Sequence, residues 1–106
     1  MRAFFRLTQV LVVAAVGLGC SVALAADANH GAELAKRWCA SCHLVDNMQK
    51  QASTDAPPFD AIAHASDFTA EKVAFFLLDP HPKMPDLPLS RYAADDLAAY
   101  IETLKK

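Results

Sequence analysis

The sequence predicts one all-α domain of three to four helices, and three observations carry that expectation. Apolar residues recur at helical spacing in three separate segments, no segment shows the alternation of a half-buried strand, and Thr69 and Ser90 stand as capping residues before two of the periodic segments. A chain of 106 residues has room for one domain.

The N-terminal 25 residues, which precede all three, read as a leader rather than as part of the fold. Arg2 and Arg6 lie near the start without an acid, Leu11–Cys20 is almost wholly apolar, and Ala23-Leu24-Ala25 supplies small residues where a signal peptidase reads. We expect a cleavable signal peptide over 1–25 and a mature domain over 26–106, with the bond after Ala26 as second choice. The rival is an uncleaved anchor, since the apolar run is close to the ~20 residues that span a bilayer; Gly17, Gly19 and the small-residue site favour cleavage. Cys20 raises lipidation as a third possibility, but Gly17 stands where a large aliphatic residue is wanted. This leader accounts for much of the mean hydropathy of +0.16.

Removing it leaves 81 of the 106 residues, with 8 basic against 12 acidic side chains and two of the three cysteines. Such mild charge gives no call for a nucleic-acid partner or an anionic membrane, and no nucleic-acid partner is expected. Export implies an oxidising compartment, and a chain this short often needs a covalent or metal staple, which here must involve Cys39 and Cys42.

Ala26–Asn29 is a polar lead-in. From Gly31, the stripe Leu34, Ala35, Trp38, Cys39, Cys42 predicts an amphipathic helix ending at or soon after His43, with Glu33, Lys36 and Arg37 off the stripe. Leu44–Phe59, with Asn47, Ser53, Thr54, Asp55 and Pro57-Pro58, predicts a loop. Thr69 caps a second helix carrying Val73, Phe76 and Leu77, with Phe68 and Val73 as a hydrophobic staple; Pro80 stops it by Asp79. Pro80, Pro82, Pro85 and Pro88 forbid regular helix between them. Ser90 caps the last helix, whose apolar face is Ala93, Leu97, Tyr100, Ile101 and Leu104, and Lys105-Lys106 suit its negative end.

The chemistry-bearing motif is Cys39-Ala40-Ser41-Cys42-His43. Cysteines at i and i+3 on a helix project to one side, so both sulfurs reach the vinyl groups of one porphyrin as thioethers, and His43 turns its imidazole to the iron. A structural zinc site wants two further ligands at short spacing, whereas His64 and His81 are 17 residues apart with no second cysteine pair. A thioredoxin-like motif wants a βαβ setting that is absent here.

The sixth iron ligand is assigned to Met84, in Pro82-Lys83-Met84-Pro85, where prolines keep the segment extended; the alternative is an ordinary core methionine. Met48 follows His43 by five residues and is on the wrong side of the haem. His81 is the runner-up, and a second histidine would lower the potential that a Met/His pair raises. His30 and His64 are read as surface or second-sphere histidines.

On these residues the mature chain resembles a small bacterial class I c-type cytochrome (monohaem cytochrome c family). Gly31 stands eight residues before Cys39, and Leu97-x-x-Tyr100 is similar to the motif of the C-terminal helix on which that glycine packs. Ala56-Pro57-Pro58-Phe59 resembles the segment whose proline carbonyl accepts the axial histidine's N–H; we assign Pro57, with Pro58 the alternative. The middle loop is shorter than in longer relatives, so no propionate-binding aromatic is assigned, and Trp38 is read as haem-edge packing.

The resemblance implies a cytochrome c-like fold around one covalent haem c with its iron, and a periplasmic one-electron carrier rather than an enzyme. Phe59, Ile62, Phe75, Phe76 and Leu97 are expected around the haem. The implied partners are periplasmic or membrane-bound redox proteins, with no small-molecule substrate and a monomeric state. Two other functions stay open: a haem-bearing subunit of a larger redox complex, and a ligand-binding or sensor protein with a displaceable sixth ligand. Lys36, Arg37, Lys50, Lys72 and Lys83 either ring the haem edge or form an ordinary solvated surface.

Overall fold

In a computed structural model the described residues are 17, 19, 25–80 and 83–106. The leader, with Cys20, therefore lies almost wholly outside the described residues, as do His81 and Pro82. Among the described residues there are four helices and no strand: α1 (Ala28–Trp38), α2 (Phe59–Ala63), α3 (Ala70–Leu78) and α4 (Arg91–Thr103).

Each cap has a local cause. Asp27 accepts the N–H groups of Asn29 and His30 through Oδ1 at 3.0 and 3.1 Å, so α1 starts at Ala28, three residues before the predicted start. Thr69 accepts from Lys72 N at 3.2 Å and Ser90 from Ala93 N at 3.0 Å, at the two predicted caps. Helix α3 ends at Leu78, just before Asp79-Pro80.

Two expectations are corrected. Helix α1 ends at Trp38, so the cysteine motif lies beyond it. There Cys42 N and His43 N both donate to Cys39 O, at 3.1 and 2.9 Å, a single extra turn that keeps the i, i+3 relation of the cysteines. The loop expected over Leu44–Phe59 ends one residue early, because Phe59 opens the five-residue α2 (Phe59–Ala63), for which no expectation was made, with Pro58 at its cap, where fixed φ and the missing N–H cost nothing.

Helix α4 is the central element: α1, α3 and α2 all pack on it. Its inward face is Ala94, Leu97, Ala98 and Ile101, joined in the core by Ala35, Cys39, Val45, Phe59, Ala63, Ala74 and Leu77. Of the predicted face, Leu97 and Ile101 are buried, whereas Tyr100 and Leu104 pack at the edge and Ala93 is half-buried. The α1–α4 crossing needs a glycine: a Cβ on Gly31 would overlap the Asp96 carbonyl and lie 2.9 Å from Tyr100 Cβ. Asp96 also ties the helices together, Oδ1 accepting from Asp27 N and Oδ2 pairing with His30 Nδ1, each at 2.7 Å.

Candidate haem site

Because α1 stops at Trp38, the carbonyls that follow have no helical partners, and their hydrogen bonds must come from elsewhere. The following loop supplies most of them. Gln49 Nε2 donates to Ala40 O and His43 O, Ser53 N and Oγ donate to Ser41 O, and Thr54 Oγ1 donates to Cys42 O. Phe59 N donates to Leu44 O at 2.9 Å, and Tyr100 Oη to Val45 O at 2.6 Å. Six consecutive carbonyls, Ala40 to Val45, are thus satisfied from outside the motif. Sequence reasoning missed Gln49, Ser53 and Thr54 as supports of the motif; polar side chains within a dozen residues of a segment leaving a helix were the available signal.

His43 Nδ1 lies 2.7 Å from Pro57 O. A carbonyl only accepts, so Nδ1 carries the proton and donates, which leaves the lone pair on Nε2. The Pro58 carbonyl is used otherwise, accepting from Ile62 N at 3.1 Å. The His43 ring packs on Phe59, centroids 5.3 Å apart, and Phe59 on Tyr100 at 6.4 Å, so a line of contacts runs from the Gly31 crossing to the histidine.

Cys39, Cys42, His43, Pro57 and Met84 all line one cavity of about 820 Å³ between α3, α4 and the loops. Phe59, Ile62, Phe76, Leu77, Leu97 and Ile101 give it mostly apolar walls. Phe75 does not belong to them: it is 75% exposed and outside the lining, because adjacent residues on a helix point about 100° apart and Phe76 takes the inward direction. His30 is at Asp96, His64 Nδ1 is 2.8 Å from Asp60 O, and Met48 is exposed; none lines the cavity. Trp38 is half-exposed at its rim. Of the five basic residues considered, Lys72 and Lys83 border the cavity, whereas Lys36, Arg37 and Lys50 do not.

Neither Cys39 nor Cys42 is in a disulfide. Burial first, and Cys42 second, push the Cys39 thiol up to about 11. Two thiols on one turn, a histidine with a free Nε2 lone pair, a thioether sulfur and an apolar chamber of prosthetic-group size fit a covalently attached haem.

No family model and no solved structure matches the chain. It is similar to cytochrome c-552 of Bradyrhizobium diazoefficiens, 61% identical over 99 residues, which cover 93% of this chain and 95% of that protein. An identity of that extent, over a helical domain with this site, shows that the chain belongs to the small class I c-type cytochromes, redox proteins that carry covalently bound haem c with its iron.

Proposed function

We propose that this cytochrome is a periplasmic one-electron carrier, with Cys39 and Cys42 attaching the haem and His43 and Met84 as the two axial ligands. The observation that carries the proposal is that these four side chains line one apolar cavity while Pro57 O holds the His43 Nδ1 proton. The hydrogen bond fixes ring orientation and tautomer and makes Nε2 a stronger donor. Haem c, when bound, supplies a one-electron iron couple. With haem bound, His43 and Met84 would both be held by its iron, leaving no site for a substrate, and a methionine sulfur would raise the potential. Phe59, Ile62, Phe76 and Leu97 would keep water from the iron, so little solvent would reorganise when its charge changes.

Export through the leader over 1–25 completes the proposal and leaves 26–106 as the working domain. No helix among the described residues is long and apolar enough to cross a membrane. The partners are redox proteins, which we assign to the periplasm or the membrane facing it, met by a monomeric carrier. Met84→Ala tests the ligand set: the methionine–iron band of the oxidised spectrum disappears and the potential falls. An unchanged band and potential would remove Met84 from the iron.

A further inference from the structure

We propose that Gln49 is a positioning residue for the axial histidine, its carboxamide fixing the turn that carries His43; this rests on His43 being an iron ligand, as proposed above. Three tethers hold His43, apart from the ring nitrogen directed to iron. Its N–H donates to Cys39 O at 2.9 Å, its Nδ1 to Pro57 O at 2.7 Å, and its carbonyl accepts from Gln49 Nε2 at 3.0 Å. The first two partners are main-chain carbonyls. Only the third is a side chain, and so open to substitution.

Gln49 spans the whole motif. The two N–H groups of Nε2 are shared among His43 O, Ala40 O at 2.6 Å and Gln51 O at 3.0 Å, while Oε1 accepts from Val45 N at 3.0 Å. One side chain thereby clamps the segment before His43, His43 itself and the segment after it. The clamp is itself aimed: Asp46 Oδ1 accepts from Met48 N and Gln49 N, both at 2.9 Å, an Asx turn that sets the Gln49 backbone. Gln49 is half-buried, so these bonds are partly shielded from competing water.

The chemistry is specific to an amide. Glutamate keeps an acceptor for Val45 N–H but turns an oxygen toward three carbonyl oxygens, and methionine fills the space without either function. If Gln49 positions His43, removing its donors loosens the His43–Pro57 bond, which weakens histidine donation to iron and raises the reduction potential.

The test uses the haem-loaded protein with Gln49→Glu and Gln49→Met, beside Ser90→Ala, which removes the cap of α4 at a residue outside the cavity lining. In the reduced state, proton NMR follows solvent exchange of the His43 Nδ1 proton. We expect exchange about tenfold faster in both Gln49 variants, the size of one lost hydrogen bond, with a raised potential. Ser90→Ala lowers thermal stability and leaves both His43 readouts unchanged. Native exchange and potential in Gln49→Glu would overturn the proposal, as would equal changes in Ser90→Ala. Should the Gln49 variants fail to mature, the unmodified protein decides: the Gln49 carboxamide protons exchange at least about tenfold more slowly than those of exposed Gln51, and equal rates would overturn it. Failure of the underlying ligand assignment looks different, because a low-spin spectrum would then survive His43→Ala.

Discussion

Gly31 and Asp96 meet backbone to backbone, leaving no room for a Cβ between α1 and α4. A methyl group there must push aside a helix main chain rather than a flexible side chain. Gly31→Ala is therefore expected to destabilise the haem-loaded protein by about 2 kcal/mol or more, although alanine alone favours helix by about 1 kcal/mol. Denaturant unfolding of the two proteins measures the difference, and a more stable Gly31→Ala protein would show that the crossing has slack.

Tyr100 makes the alkaline limit of the fold partly its own. Burial first, and Asp46 second, raise the Tyr100 phenol above its ordinary 10.0, so the folded state binds its proton more tightly than the unfolded chain does. That contribution is complete below pH 10.0 and is lost as pH rises toward the folded-state value. The deprotonated phenol also cannot donate to Val45 O. Unfolding free energy measured against pH is expected to fall in this window for the native protein and less steeply for Tyr100→Phe; identical slopes would contradict it.

Haem in the proposed site would complete the core. The cavity of about 820 Å³ is bordered by the core residues Cys39, Phe59, Leu77, Leu97 and Ile101, which face each other across it. Without haem those walls meet water or collapse. We expect a Cys39→Ala/Cys42→Ala protein, which cannot attach haem covalently, to be largely unfolded by far-UV circular dichroism. Native helix content would show that the polypeptide closes its own core.

Much of this was legible before any coordinates. Thr69 and Ser90 cap where they were expected because an N-cap is a local device, a side-chain acceptor beside the first free N–H groups. Asp27 is such a cap too, but Ala28, Asn29 and His30 stand between it and Gly31, and no apolar stripe marks that turn. The helix end at Trp38 was not legible, because Gln49, Ser53 and Thr54 draw the motif's carbonyls outward and periodicity carries no trace of such ties. With five residues, α2 is too short to show a period. Phe75 was misjudged on hydrophobicity, although the stripe Val73, Phe76, Leu77 already directed it away from the site. The proposed site residues, Cys39, Cys42, His43, Pro57 and Met84, are separated by up to 45 positions and line one cavity.

The central claim is a six-coordinate haem held by His43 and Met84 and built for electron transfer. The optical spectrum of the purified protein in both oxidation states tests it most directly. It should show a c-type haem, low-spin in both states, with a methionine–iron band when oxidised and no carbon monoxide adduct when reduced. A high-spin oxidised spectrum with ready carbon monoxide binding would contradict the carrier and reveal an open sixth position.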